Sequence, residues 1–227
     1  MPNHTATIFV IKTKDAKKLA KIKAAIGSNK KKGEDEGRLI DFNKIIPMPD
    51  ALNGIVSPPQ LVNTQEEADA INAEYKKTMS GFGEVRGISE RKAITHAEAK
   101  ELEKKYGAIT WYEWSIANWG TKWNAYDFAD DGWQPYDIEV SKLDNAIRFD
   151  TAWSPAIPVF VIISEMFPNV EFYAEFADEG RGFLGHVVVK DGAVVEDVSL
   201  DWNSEAGVEM RQRLGYWYEE DEQEEKE

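Results

Sequence analysis

Ionisable side chains that could carry catalysis are numerous in this sequence, but their spacing is poorly suited to it. The three histidines, His4, His96 and His186, lie in separate segments, and none has the H-x-x-x-H spacing of a zinc site. Carboxylates cluster at residues 127–131 and 175–179, and paired carboxylates can do acid–base work or hold Mg²⁺. With 41 Asp and Glu in 227 residues, however, such pairs arise by chance. The sequence therefore predicts no catalytic residue, no metal site and no cofactor, and it favours a protein without enzymatic activity.

Another group of residues is better suited to binding. The decapeptide NWGTKWNAYD, residues 118–127, places Trp119 and Trp123 four positions apart with a glycine and a lysine between them. One interpretation is a buried cluster that includes Trp111 and Trp114, because large aromatic side chains stabilise mainly through burial. The other is an aromatic surface with a cation, which could stack on a base, a nucleotide or a partner side chain. Burial is the better prediction for Trp119 and Trp123.

Composition limits the classes of protein that this chain can belong to. The net charge is −14, and residues 219–227 hold seven acids and one lysine. Such a run predicts a disordered acidic tail, and the functional alternative is an acidic arm that binds a basic surface or mimics nucleic acid. The negative charge argues against direct binding of DNA or RNA, which needs a basic surface.

Cysteine usage and hydropathy restrict the location of the protein. The chain has no cysteine, which excludes disulfides, thiolate zinc sites and an iron–sulfur cluster. The longest apolar run is too short to span a bilayer, and the first residues lack the pattern of a signal peptide. We expect a cytoplasmic protein with no membrane partner.

Hydrophobic periodicity predicts the elements that must position these residues. Alternation predicts that Ile147, Phe149, Thr151 and Trp153 share one face of a strand, with Trp153 in the core. Ser154 should then be the N-cap of the next helix. The predicted strands are His4–Thr13, Arg38–Met48, Asn145–Trp153 and Val170–Ala177; the predicted helices are Asp15–Ile26 and Pro155–Phe167, with two more that start at capping boxes, Thr64 with Glu67 and Thr95 with Glu98.

Two strand–helix–strand units predict an α+β fold, namely a ferredoxin-like split βαβ (βαββαβ) antiparallel sheet of order 4-1-3-2. Residues 50–144 form a long, mainly helical insertion between the second and third strands. Segments 182–189 and 193–200, joined by an Asp-Gly turn, add a C-terminal hairpin. We expect one ferredoxin-like domain over residues 1–218, followed by the disordered tail 219–227.

This topology should bring the decapeptide close to the end of the fourth strand. In a split βαβ sheet we expect the segment that enters the third strand to meet the end of the fourth at one edge. We predict a ligand- or partner-binding site at that edge, formed by Trp119, Lys122, Trp123, Asn124, Asp127, Asp178, Glu179 and Arg181.

Three segments resemble a known family. DFNKIIPMP (41–49), NWGTKWNAYD (118–127) and FDTAWSPAIPVFVIISEMFPNVEFYAEFADEG (149–180) are similar to the YubB-like family of phage- and plasmid-encoded bacterial proteins, which have a ferredoxin-like domain. The resemblance spans most of the chain, and it implies the same fold and an origin in a mobile element. It transfers no catalytic residue, since the family has no established activity.

Three classes of function remain. The first is a non-enzymatic interaction protein of a mobile element that binds a protein partner and inhibits a host factor. The second is a nucleotide- or metabolite-binding protein, or an enzyme, that uses a tryptophan-lined pocket at the sheet edge. The third is an RNA- or DNA-binding ferredoxin-like module, which the charge disfavours.

Overall fold

The computed structural model describes residues 3–29, 37–79, 91–126 and 145–216. The chain divides into two compact units, one formed by Met1–Ile46 with Trp119–Glu227 and the other by Pro47–Asn118. Among the described residues, no helix has both the length and the apolar character needed to cross a bilayer. The predicted domain boundaries at residues 144 and 218 lie outside the described residues.

The elements of the described ranges follow in chain order. The strands are β1 (His4–Lys12), β2 (Leu61–Val62), β3 (Ile94–Thr95), β4 (Ala146–Ala152), β5 (Glu171–Asp178), β6 (Leu184–Lys190) and β7 (Ala193–Ser199). The helices are α1 (Ala16–Ile26), α2 (Phe42–Ile45), α3 (Gln65–Met79), α4 (His96–Tyr106), α5 (Trp111–Trp119), α6 (Ile157–Met166) and α7 (Glu205–Arg213).

The main sheet has the order β4-β1-β5-β6-β7, and each neighbouring pair is antiparallel. Strand β1 lies between β4 and β5, with Thr5 opposite Thr151 on one side and Asp178 on the other. Strands β4 and β5 are therefore parallel to each other, and α6 connects them, which is a split βαβ unit. The predicted antiparallel sheet of the ferredoxin-like class is confirmed. Of the predicted order 4-1-3-2, the described sheet has the neighbours 4-1-3, but the second predicted strand is not part of it.

The predicted hairpin is also confirmed. Strands β6 and β7 extend the sheet beyond β5, and the two residues between them, Asp191 and Gly192, have φ angles of 50° and 79°. Two consecutive positive φ values are the signature of the tight turn that Asp-Gly favours, because its twist matches that of the flanking strands.

The predicted strand Arg38–Met48 is wrong, because this segment contains the short helix α2. The Asp41 side chain caps the helix by accepting from the amide of Asn43 at 3.1 Å. The Asn124 side chain, 82 positions away, accepts from the amide of Phe42 at 2.8 Å. These side chains satisfy the backbone donors that a strand would have offered to the sheet.

One face of the sheet packs against apolar helices. In β1 the alternation directs Phe9 to this face, where its ring lies 4.9 Å from Phe160 of α6 and 5.6 Å from Phe172 of β5. All three rings are fully buried, and burial stabilises the fold by about 1.5–3 kcal/mol for each side chain. Helix α1 buries Ile22 and Ile26, and its lysines are exposed or half-buried.

The opposite face packs against α7. Met210 and Leu214 cover Ala6, Ile8 and Leu184 of the sheet. The carboxylate of Glu175, 4% exposed, accepts from both Nε and Nη2 of Arg213 at 3.2 and 3.1 Å. This bidentate pair ties the end of α7 to the middle of the sheet.

The unit Pro47–Asn118 is built on helix caps. Both predicted capping boxes are present: Thr95 accepts from the amide of Glu98 at 3.1 Å, and Thr64 accepts from that of Glu67 at 3.2 Å. A third box, Thr110 with Glu113, was not predicted. Strands β2 and β3 form a short parallel pair beside these helices.

Candidate partner-binding site

The carboxyl ends of β4 and β5 lie on either side of the start of β1, because these two strands run parallel to each other. The predicted decapeptide reaches this end of the sheet by pairing with β4 itself. Tyr126 and Asp150 form an isolated antiparallel bridge, with N···O distances of 3.1 and 2.8 Å. The decapeptide therefore runs beside the end of β4, whereas the sequence placed it at the entry to that strand.

Two of the predicted site residues hold the fold together. Trp119 is 5% exposed, as predicted, and its indole Nε1 donates to the carbonyl of Ile46 at 2.9 Å while the ring packs edge-on against Phe42. The Asn124 amide donates to the Asp41 carboxylate at 2.7 Å, and its oxygen accepts from the Phe42 amide at 2.8 Å. Both side chains position α2, so neither is offered to a ligand.

Lys122, Trp123 and Trp153 form the aromatic surface of this edge. The ammonium of Lys122 lies 4.8 Å from the ring centroid of Trp123 and 4.7 Å from that of Trp153. Both distances are within the range of cation–π attraction. Trp123 is half-buried and Trp153 is 41% exposed.

The exposure of Trp153 contradicts its predicted place in the core. Its φ angle is 75°, in the left-handed region that bulky residues avoid. The chain therefore leaves the strand direction directly after Ala152, and the alternation that buries Phe149 no longer applies. The weak signal for this in the sequence is the Ser-Pro pair that follows, which marks a turn.

Hydrogen bonds from two other segments hold this turn. The amide of Trp153 donates to the carbonyl of Asn3 at 3.0 Å. The hydroxyl of Thr121, fully buried, donates to the carbonyl of Ala152 at 2.8 Å and accepts from the amide of the same residue at 3.2 Å. Hydrogen bonds from Asn3 and Thr121 therefore hold the backbone at Ala152 and Trp153.

Ser154 belongs to this turn, and its predicted role as the helix N-cap is wrong. The cap position of α6 is Ala156, and the Ser154 hydroxyl instead donates to the carbonyl of Gly120. Gly120 has a φ angle of 77°, and a Cβ atom there would stand 2.8 Å from Cδ of Pro158. Only glycine fits at this position, which explains the glycine between the two tryptophans of the decapeptide.

The predicted acidic residues lie at the end of β5. Asp178 is 6% exposed, and its Oδ2 accepts from the amide of Gly182 at 2.9 Å, which organises the turn into β6. Glu179 extends the ladder with β1, since its amide donates to the carbonyl of His4 and its carboxylate accepts from the His4 amide. Arg181 is exposed on the same turn, and Asp127 lies outside the described residues.

Tyr126 and His4, which the sequence interpretation missed, join the two halves of the edge. The Tyr126 hydroxyl lies 2.9 Å from Nδ1 of His4, and the Tyr126 ring packs edge-on against Trp123. His4 in turn pairs with Glu179, so contacts run without a break from the aromatic surface to the β5 turn. The described residues hold no group of three or more metal-ligating side chains. This arrangement is suited to binding.

One comparison with known proteins, a family model, agrees with the topology. Residues 118–226, just under half of the chain, match a family model described as the ferredoxin-like domain in Api92-like protein. The crystal structure of protein Api92 from Yersinia pseudotuberculosis matches with a TM-score of 0.38 and 10% identity, covering 88% of this chain and 99% of that one. No curated protein matches. Over its C-terminal part, this chain is thus similar to the ferredoxin-like domain of Api92-like proteins.

Proposed function

We propose that this chain is a non-enzymatic binding protein that holds a protein partner on the aromatic surface formed by Lys122, Trp123 and Trp153. The observation that carries the proposal is the state of Trp153. A large indole is 41% exposed on a backbone with a φ angle of 75°. Such a backbone costs about 1–3 kcal/mol, and strain of this kind clusters at functional sites.

The rigidity of the surface favours binding. The backbone bonds to Asn3 and Thr121 fix the turn, and Lys122 lies against both indole rings. A surface that is already ordered loses little conformational entropy when a partner binds. Tryptophan anchors of this type carry most of the energy at protein–protein interfaces. Roughly 100 Å² of the Trp153 surface remains for a partner to cover, which is worth about 2 kcal/mol.

The charge of the chain supports a protein partner over a nucleic acid. One lysine is present in the aromatic surface, whereas the chain as a whole carries a net charge of −14. A nucleic acid would be repelled at long range, and its binding depends on many cationic contacts. A protein can cover the exposed indole of Trp153 with an apolar side chain and needs no array of cations to do so.

The same proposal gives the chain an accessory role in a phage or plasmid, acting in the cytoplasm by inhibiting a host factor. Its support is the resemblance of the decapeptide and of TAWSP, residues 151–155, to mobile-element proteins. The decapeptide and this second segment are also the two that build the turn around Trp153. The segments that carry the resemblance are therefore the segments that build the proposed surface.

Affinity capture from a bacterial lysate, followed by binding measurements with the purified partner, tests this function. Trp153→Ala and Lys122→Ala should each weaken the purified complex, the former about 30-fold, which corresponds to about 2 kcal/mol. Met166→Ala is the matched control, because Met166 is 45% exposed on α6, outside the aromatic surface. This control should bind like the wild type, and all variants should keep the circular dichroism spectrum of the parent.

Two results would overturn the proposal. One is a specific partner that binds equally well to Trp153→Ala and to the parent. The other is a nucleotide or metabolite that changes the tryptophan emission of the parent but not that of Trp153→Phe. The second result would instead support the ligand-binding alternative.

A further inference from the structure

Strand β7 forms one edge of the main sheet. It pairs with β6 on one side, and no strand of the described ranges pairs with its other side. Six of its seven residues are exposed, among them Val194 and Val195 at 42% and 58%. An edge strand of this kind offers a row of backbone N–H and C=O groups to another chain.

The register of β6 and β7 identifies the backbone groups that point away from the sheet. The amide of Leu200 donates to the carbonyl of Leu184 at 2.8 Å. Hydrogen-bonded pairs alternate with other pairs along an antiparallel ladder. Val198 is therefore also bonded to β6, whereas Asp197 and Ser199 direct their N–H and C=O groups outward.

A β-bulge restricts the usable part of β7 to its second half. The register shifts between Val188 and Val189 of β6, and Val195 is left out of the pairing. Bulges protect edge strands, because they bend the strand away from a straight ladder. Residues 196–199 keep a regular register with β6, and we call them the open edge.

The open edge is acidic. Glu196 and Asp197 are consecutive exposed residues of a strand, so their side chains lie on opposite faces of the sheet. The Glu196 carboxylate lies 2.7 Å from Nε2 of His186, and its side chain remains 54% exposed. Strand β7 contains no lysine or arginine, and Lys190 of β6 is opposite Ala193 at the other end of the strand.

We propose that the open edge binds an extended basic segment of a protein partner, which adds a sixth strand to the sheet. The outward N–H and C=O groups of Asp197 and Ser199 pair with the backbone of this segment, and such pairing supplies affinity in strand addition. The carboxylates of Glu196 and Asp197 select lysine or arginine on the two faces of the added strand. A second copy is disfavoured as the occupant, because both chains carry a net charge of −14.

The open edge is separate from the aromatic surface. Strand β4, which Trp153 directly follows, forms the opposite edge of the five-stranded sheet. With neighbouring strands about 4.8 Å apart, the two edges are about 19 Å apart. A partner segment on the open edge therefore needs no contact with Trp153.

Two synthetic peptides of equal charge test the proposal. One is KVKVKVK with blocked ends, and the other is the same peptide with every backbone amide N-methylated, which removes its N–H donors. Fluorescence anisotropy at about 20 mM salt, where screening is weak, measures the Kd of each. KVKVKVK should bind at least about tenfold more tightly, because the N-methylated peptide cannot complete a ladder with β7. Equal binding of the two peptides, or no binding of KVKVKVK, would overturn the proposal.

Substitutions in β7 separate the charge from the backbone pairing. Glu196→Lys/Asp197→Lys should weaken binding of KVKVKVK at least about tenfold, and the matched control Glu101→Lys/Glu103→Lys, on exposed positions of α4, should bind within about twofold of the parent. Ser199→Pro removes one outward N–H at an edge position, where proline is tolerated, and should weaken binding at least about fivefold. Its control, Ser199→Ala, should bind like the parent. Equal affinities of the two Ser199 variants would contradict strand addition.

Amide hydrogen exchange followed by NMR locates the bound peptide. At saturation with KVKVKVK, the amides of Asp197 and Ser199 should exchange at least about tenfold more slowly, because each then donates to the peptide. Trp153→Ala should show the same slowing, since its side chain belongs to the other edge. Unchanged exchange at these two amides would refute the proposal. Slowing that occurs without peptide and grows with protein concentration would also refute it, because a second copy would then occupy the open edge.

Discussion

Replacing Trp153 by glycine should leave the protein more stable than replacing it by alanine. Both changes remove the indole and its contact with Lys122, so the comparison isolates the backbone. At a φ angle of 75° an alanine pays about 1–2 kcal/mol of steric strain that glycine avoids. Glycine loses about 0.4–1 kcal/mol through the greater freedom of the unfolded chain. The glycine variant should therefore be more stable by roughly 0.5–1 kcal/mol.

Urea unfolding followed by circular dichroism measures this difference as a shift in midpoint at an unchanged slope. Ala24→Gly in α1 is the control, because Ala24 is an exposed residue in a regular helix. There the substitution should destabilise by about 1 kcal/mol. If Trp153→Gly proved less stable than Trp153→Ala, residue 153 would not have a strained backbone in solution. The reasoning that makes its exposed indole a functional feature would then fail.

Three other substitutions test contacts of the fold. Asn124→Ala removes the acceptor of the buried Phe42 amide, so it should lower the free energy of unfolding, measured in urea, by about 1–3 kcal/mol. A change within experimental error would show that a water molecule replaces the lost acceptor. Arg213→Ala leaves the carboxylate of Glu175 buried without its guanidinium, and should cost about 1–3 kcal/mol, less than for fully buried pairs because Arg213 is half-exposed. Burial raises the pKa of the Tyr216 hydroxyl, and the charge of nearby Asp150 raises it further. Above about pH 10 the tyrosine therefore loses its proton in the unfolded chain but keeps it in the folded one. Stability should fall as pH rises through that range, and Tyr216→Phe should make melting temperatures fall less steeply there.

The central sheet could be predicted because its signal is local. Strand β1 contains a run of apolar residues, β5 alternates apolar and polar ones, and the apolar helix before β5 has a proline in its first turn and another shortly after its end. Segment 38–48 has similarly apolar, β-branched residues, yet it forms α2. Its outcome depends on the side chain of Asn124, which is 82 positions away. No window of sequence around residue 42 contains that information.

The candidate site was only partly predictable for the same reason. The decapeptide could be recognised by its composition, and Lys122 and Trp123 do lie on the aromatic surface. Trp153 could not be added to them, because alternation assumes that the strand continues. Its turn is set by hydrogen bonds from Asn3 and Thr121, which belong to two distant segments. Trp119 and Asn124, by contrast, share the same decapeptide and serve the packing of α2.

The position of β1 between β4 and β5 affects the order in which the protein can fold during synthesis. Thr5 and its partner Thr151 are 146 positions apart. At about 5–20 residues per second, β1 leaves the ribosome roughly 7–30 s before β4. During that interval its apolar run, residues 8–11, has neither neighbouring strand, and unpaired β-branched segments of this kind are prone to aggregate. The earliest strand of this sequence to be made is thus among the latest to be enclosed, and a nascent chain needs its C-terminal half before its N-terminus is protected.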